Sequence, residues 1–241
     1  MRAINPWSII WTTELPRAIL QCIFFTVLGA SAAHGTGSQF TYVGSLAMIL
    51  LLYTVVEIND VPSEEKWQGT FFRLRLSQVG VLRIFGLRAV SSVLEASIAF
   101  VMCWALVGLV TGNLPTTLAL IPALPIYLVI ALTTSALGLA TASLALGRRS
   151  DVVIVNGLVY LIIATGGVVV PLGSFPALDA VGSLFPLQYG LLAARAMLDG
   201  HPWGWLLARE VVTGVVWAIV AAALFTAQVR RARRTGTDDF A

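Results

Sequence analysis

The chain is 241 residues long and holds few side chains equipped for chemistry. His34 and His201, Cys22 and Cys103, and the acids Asp179 and Asp199 match no metal-ligand or catalytic spacing. No catalytic or metal site is therefore assigned. The polar residues that stand out are those inside apolar stretches. Arg88, Ser91, Ser92 and Glu95 recur at helical spacing and share one face, with Glu95 ~10 Å along the helix from Arg88. Burying such groups costs several kcal/mol unless they are partnered. The stripe is either structural, with Glu95 paired to Arg88 or to another helix, or Glu95 lines an inward-facing cavity and meets a cation. Asn156 and Tyr160 form an i, i+4 pair, and Gly167 continues that face. Thr134, Gly138 and Ala142 repeat every four residues, as in closely packed helices.

The elements that carry these residues follow from composition. Hydrophobic residues make up 58% of the chain and charged residues only 11%; mean hydropathy is +0.87. A soluble domain of this length needs far more polar surface. Residues 18–56, 96–147, 152–178 and 211–229 carry no charge at all. About 20 apolar residues cross the hydrocarbon as a helix. Turn residues at 34–39 and 112–117 divide the first two runs. The expected fold is an all-α polytopic membrane protein with six spans, near 17–33, 40–57, 88–111, 126–147, 152–170 and 208–229. Residues 1–16, with Trp7 and Trp11, suit a helix lying in the membrane interface. Ala30-Ser31-Ala32 resembles a signal-peptidase site, but the polar, Trp-containing segment before it favours a retained span.

The basic residues orient the spans. Loops 34–39 and 112–117 contain no Lys or Arg, and all but Arg195 and Arg209 of the 15 basic residues fall on the opposite side. The positive-inside rule makes that side, and both termini, cytoplasmic. The net charge of +3 then reflects topology and attraction to membrane lipid, with no call for nucleic acid.

One cytoplasmic stretch breaks the apolar pattern. "EINDVPSEEKWQGTFFRLRL", residues 57–76, holds seven charges. Pro62-Ser63-Glu64-Glu65 reads as a helix start, with Ser63 as cap and acids in the first turn. The helix carries Trp67, Phe71 and Phe72 among charges of both signs. Physics alone leaves two readings open: a helix resting on lipid headgroups, or one docking a soluble partner through aromatic anchors.

These residues carry a resemblance. "EEKWQGTFFRLRL" is similar to the Glu-x-x-x-Gly-Thr signature after the second span in permeases of type-2 ATP-binding-cassette exporters, at Glu65, Gly69 and Thr70. "PLGSFPALDAVGSLFPLQYGLLAARAML" (171–198) resembles that family's segment between spans five and six, at Phe185, Pro186, Tyr189, Arg195 and Ala196. The chain departs from the pattern at Trp67, where many relatives have an acid, and near Gln78, where many have Pro. The resemblance implies a pair of permease chains, identical or paralogous, above two cytoplasmic ATPase subunits that bind ATP and Mg. It also implies a bacterial plasma membrane. The chain contains no Gly-x-x-x-x-Gly-Lys-Ser/Thr phosphate loop, so it is expected to bind no cofactor itself. Glu64, Glu65, Lys66, Trp67, Gly69, Thr70, Phe71 and Arg73 would then form the coupling helix on the ATPase.

The same resemblance places residues 171–203 outside, as a re-entrant segment. Pro171, Pro176, Pro186 and Pro202, with Gly173, Gly182 and Gly190, cut it into helices too short to cross. It either folds back into the membrane as a gate, with Pro171, Phe185, Pro186, Tyr189 and Arg195, or lies flat on the outer leaflet. Glu95, Asn156 and Tyr160 become candidates for the transport path, against a plain interhelical bond for the last two. The expected function is ATP-driven export of an amphipathic small molecule, drug, antibiotic or lipid. The alternatives are a structural or channel-like subunit without ATP coupling, or an exporter of a lipid-linked glycan.

Overall fold

The structure, a computed structural model, describes residues 10–32, 38–60, 81–145 and 151–235. The first nine residues, the turn around Gly37, the whole of 61–80 with the proposed coupling helix, and Arg148 and Arg149 lie outside the described residues. Every regular element among those described is helical. A π-helical turn, Ile10–Glu14, leads into α1 (Leu15–Ala32). Then come α2 (Ser38–Asp60) and α3 (Val81–Val110). A short α4 (Leu114–Ala119) precedes α5 (Leu124–Ala145), and α6 is Asp151–Thr165. Two short helices follow, α7 (Pro176–Gly182) and α8 (Gln188–Leu198), and α9 is Gly204–Thr235.

Among the described residues, four helices are long and apolar enough to cross a membrane: Ser38–Asp60, Phe85–Val110, Ile121–Leu144 and Gly204–Gln228. The other two segments expected to cross are shorter, at 18 residues for α1 and 15 for α6. Helix α6 stops at Thr165 because Gly167 takes a φ of +76°, a left-handed turn that glycine enters without strain. Gly167 therefore does not continue the Asn156–Tyr160 face; it turns the chain away and is itself buried. Helix α5 starts at Leu124, earlier than expected, because Pro125 sits in the first turn, where its missing N–H costs nothing.

Helix α2 is the centre of the fold, buried over 83% of its span, against 22% for α9. All residues from Thr41 to Leu51 are buried, which suits a segment apolar on every side. It packs against α1, α3 and α5, and α5 pairs most extensively with α9. The α2–α5 contact carries the four-residue stripe seen in the sequence. Thr54 donates to the Thr134 hydroxyl at 2.8 Å, and Asn59 Nδ2 reaches Gly138 O at 3.3 Å and Thr141 Oγ1 at 2.8 Å. Residues Leu52–Val56, where this contact forms, are π-helical. Near the other end of α2, Tyr42 donates to Trp104 O at 2.6 Å, and Asn113 Nδ2 ties the α3–α4 turn to Ser38 Oγ at 2.7 Å.

Candidate functional site

Two polar constellations interrupt this apolar bundle. The first gathers acids from the π-helical turn before α1, from α2 and from α3. Glu14 and Arg17 form an ion pair at 2.7 Å, and Tyr53 on α2 donates to Glu14 O at 2.6 Å. The Glu57 carboxyl, at the end of α2, lies within hydrogen-bonding reach of Glu95 on α3, with Glu14 and Arg17 in electrostatic range. Ser91 donates to Glu95 Oε1 at 3.3 Å. Glu95 is thus half-buried and faces a second span, where its neighbour is another acid. Sequence reasoning singled out Glu95 and missed Glu57, whose position at the edge of an uncharged run was the available signal.

Asn156 and Tyr160 lie on the side of α6 that this chain leaves largely uncovered. Tyr160 is 68% exposed, beside exposed Val153 and Leu161, while Val155, Val159 and Ile162 turn inward. Asn156 is half-buried and partnered.

The second constellation is the segment from Gly166 to Trp203. It folds back along α9 before that helix begins. Trp217 Nε1 donates to Leu184 O at 2.9 Å, and the Phe185 and Trp217 rings stack at 5.7 Å between centroids. Trp217 lies 13 residues into α9, ~20 Å along its axis, close to the middle of the apolar run Gly204–Gln228. On the other side, α7 packs against the end of α6, where Gly182 is in close contact with Thr165 O. The tip of the segment is therefore level with the centre of the last helix.

Backbone at that depth needs internal partners, since hydrocarbon supplies none. Three side chains provide them. Trp217 meets Leu184. Arg195, on α8, donates to Gly167 O at 2.8 Å and Phe40 O at 3.2 Å, with its guanidinium 3.5 Å from the Phe40 ring centroid. Glu210, on α9 and fully buried, accepts from Leu187 N and Gly190 N, both at 2.9 Å, and from Thr133 Oγ1 of α5 at 2.6 Å. Its carboxylate caps the N-terminus of α8, where amide donors and the helix dipole favour an anion. It also holds Leu187 at a φ of +111°, a conformation a branched side chain adopts only when its surroundings dictate it. Gly190 is required here: a Cβ would run into Ile130 and crowd Glu210.

Of the expected gate residues, Phe185, Pro186, Tyr189 and Arg195 sit in this constellation, with Tyr189 buried under the Arg209 guanidinium at 4.2 Å. Pro171 is exposed and apart, in the turn where Ser174 Oγ donates to its carbonyl. Glu210 is absent from the sequence-based candidates, although an acid a few residues inside an apolar span is costly enough to mark itself.

Residues 2–198 match the family model for the ABC-2 type transporter, which is most of the chain. The chain belongs to the ABC-2 type transporter family. Neither the curated proteins nor the solved structures returned a match. An ABC-2 membrane domain is a transport subunit and not itself a catalyst, and the apolar helices fit a multi-pass membrane location. The family implies an ATP-binding-cassette partner in general. The match ends at Leu198, so Glu210, Trp217 and the rest of α9 lie beyond it.

Proposed function

We propose that this ABC-2 permease works as the membrane half of an exporter, with six spans, both termini in the cytoplasm of a bacterial cell, and a separate ATPase below. Residues 166–203 are its outer gate. The observation that supports this is the depth of that segment: its tip pairs with Trp217, near the middle of the last apolar run. A pair of helices lying flat on the outer leaflet would have no reason to reach so deep. A permease that closes its outer end with irregular backbone, plugged by Phe185, Pro186 and Tyr189, fits release of cargo outward.

ATP coupling falls to residues 61–80. The 241 residues hold no phosphate loop, so the energy enters through a partner in this reading, and Glu64 to Arg73 is the charged, aromatic-bearing stretch available to receive it. A second permease chain would cover α6, whose exposed Val153, Tyr160 and Leu161 form one apolar side. Asn156 and Tyr160 then border the path between the two chains. Such an apolar wall suits an amphipathic molecule or lipid better than a glycan.

The test is enzymatic. Purified alone, the chain should not hydrolyse ATP; co-purified with the ATPase, the complex should. Glu65→Lys and Gly69→Leu should leave the permease inserted yet either lose the ATPase on purification or let it hydrolyse ATP without transport. Normal transport by both variants, with the ATPase still bound, would return the helix to the lipid headgroups. Robust hydrolysis by the isolated chain would overturn the division of labour.

A further inference from the structure

Helix α8 is held at two places by two different kinds of attachment. At its N-terminus, Glu210 accepts from two backbone amides and from Thr133, so that α8, α9 and α5 meet at one fully buried carboxylate. Toward its other end, Arg195 reaches across to Gly167, where α6 ends, and to Phe40, in the first turn of α2.

The two differ in what breaking them leaves behind. Pulling α8 from Glu210 would strand an acid and two amide donors in an apolar interior and release the positive-φ turn at Leu187. Nothing there can replace the lost bonds. Pulling Arg195 away frees two carbonyls and a guanidinium on a half-buried side chain whose Nε is buried and already lacks a partner, so this attachment is incomplete before it is broken. The Phe40 carbonyl also lies within its own helix, whose ladder offers it a backbone partner. Gly167, which the clasp grips, is a left-handed glycine and already a pivot. Packing leans the same way: α7 sits on the end of α6, while α8 packs most on α9 and α5 and least on α2.

We propose that Glu210 is the positioning residue that fastens α8 permanently to the α5–α9 pair, and that Arg195 is a releasable clasp to α2 and the end of α6, so that the outer gate opens by parting at Arg195. This rests on the reading of residues 166–203 as the gate, and the experiment separates the two. In the complex of the full chain with its co-expressed ATPase, Cys22 and Cys103 are replaced by Ala and spin labels are attached to introduced cysteines. One pair, at Gln39 and Asp199, spans the clasp; the other, at Leu184 and Val216, spans the fastening. Distances are compared in lipid nanodiscs between the resting complex and the complex trapped with ATP and vanadate, after vanadate-sensitive hydrolysis has been verified.

The clasp pair should lengthen on trapping while the fastening pair stays fixed. Arg195→Met should shift the resting clasp distribution toward the long distance without nucleotide. Glu210→Gln puts an amide NH2 against a backbone N–H and should broaden the fastening pair instead. Lengthening of the fastening pair, alone or with the other, overturns the proposal while leaving the gate reading intact. If neither distance changes on trapping, the segment is static and the gate reading falls with it.

Discussion

Glu210 and Glu57 are both glutamates at the ends of apolar runs, and the chain treats them in opposite ways. Around Glu210 every neighbour named is a donor: two amides and a hydroxyl at 2.6–2.9 Å. Around Glu57 the charged groups that act on it are Glu95 and Glu14, with Arg17 the counter-charge, and its Oε2 is buried without a hydrogen-bond partner. An acid ringed by donors is finished; it fixes a fold. An acid facing acids is unfinished, because two carboxylates this close in a low dielectric cannot both keep their charge unless a cation joins them. One is a rivet and the other is a vacancy for charge.

Glu210→Leu is the severest way to break that contrast. The leucine is close in size but accepts nothing, so the amides of Leu187 and Gly190 lose their acceptor in an apolar interior. Each such donor costs about 1–3 kcal/mol, giving roughly 2–6 kcal/mol together. The thermal midpoint of the purified permease in nanodiscs should fall accordingly, with Trp217 fluorescence changing early in the transition. An unchanged midpoint would mean that the segment finds other partners and that Glu210 fixes nothing.

Trp217→Phe probes the same seam more gently. The Phe185 stack is retained in part, while Leu184 O loses its donor at membrane depth. A loss of about 1–3 kcal/mol is expected, smaller than for Glu210→Leu. A double variant should be less than additive, because both residues hold one short segment. Full additivity would place them in separate units.

What the sequence disclosed and what it hid divide along the same line. An all-helical membrane bundle was readable because uncharged runs long enough to cross leave no soluble alternative. The packing of Thr134 and Gly138 was readable because small residues at four-residue spacing allow close approach. Gly167 was misjudged: helical periodicity carried it onto the Tyr160 face, although two adjacent glycines end a helix more often than they continue it. Glu210 and Glu57 escaped for a different reason. A side chain's meaning inside a membrane depends on what a distant segment presents to it, and 23 residues separate Leu187 from Glu210. Nor does spacing say that Glu57 and Glu95, on different helices, face each other.

The smallest expected effect lies at that second acid and sharpens the contrast most. Glu57→Gln keeps size and shape, cannot ionise, and supplies an NH2 that can donate to the Glu95 carboxylate. If the acid cluster is a cost carried by the fold, the variant should be stabilised by ~1 kcal/mol, about one hydrogen bond, with the thermal midpoint rising slightly. The same substitution chemistry at Glu210 should destabilise, since there the amide turns a donor toward a donor. Opposite signs for Glu57→Gln and Glu210→Gln are therefore the expected result. If transport also falls in Glu57→Gln while the midpoint rises, the acids are retained for cargo and not for folding, and Glu95 belongs to the transport path. Equal signs would show that both glutamates are held alike, and the distinction between rivet and vacancy would be lost.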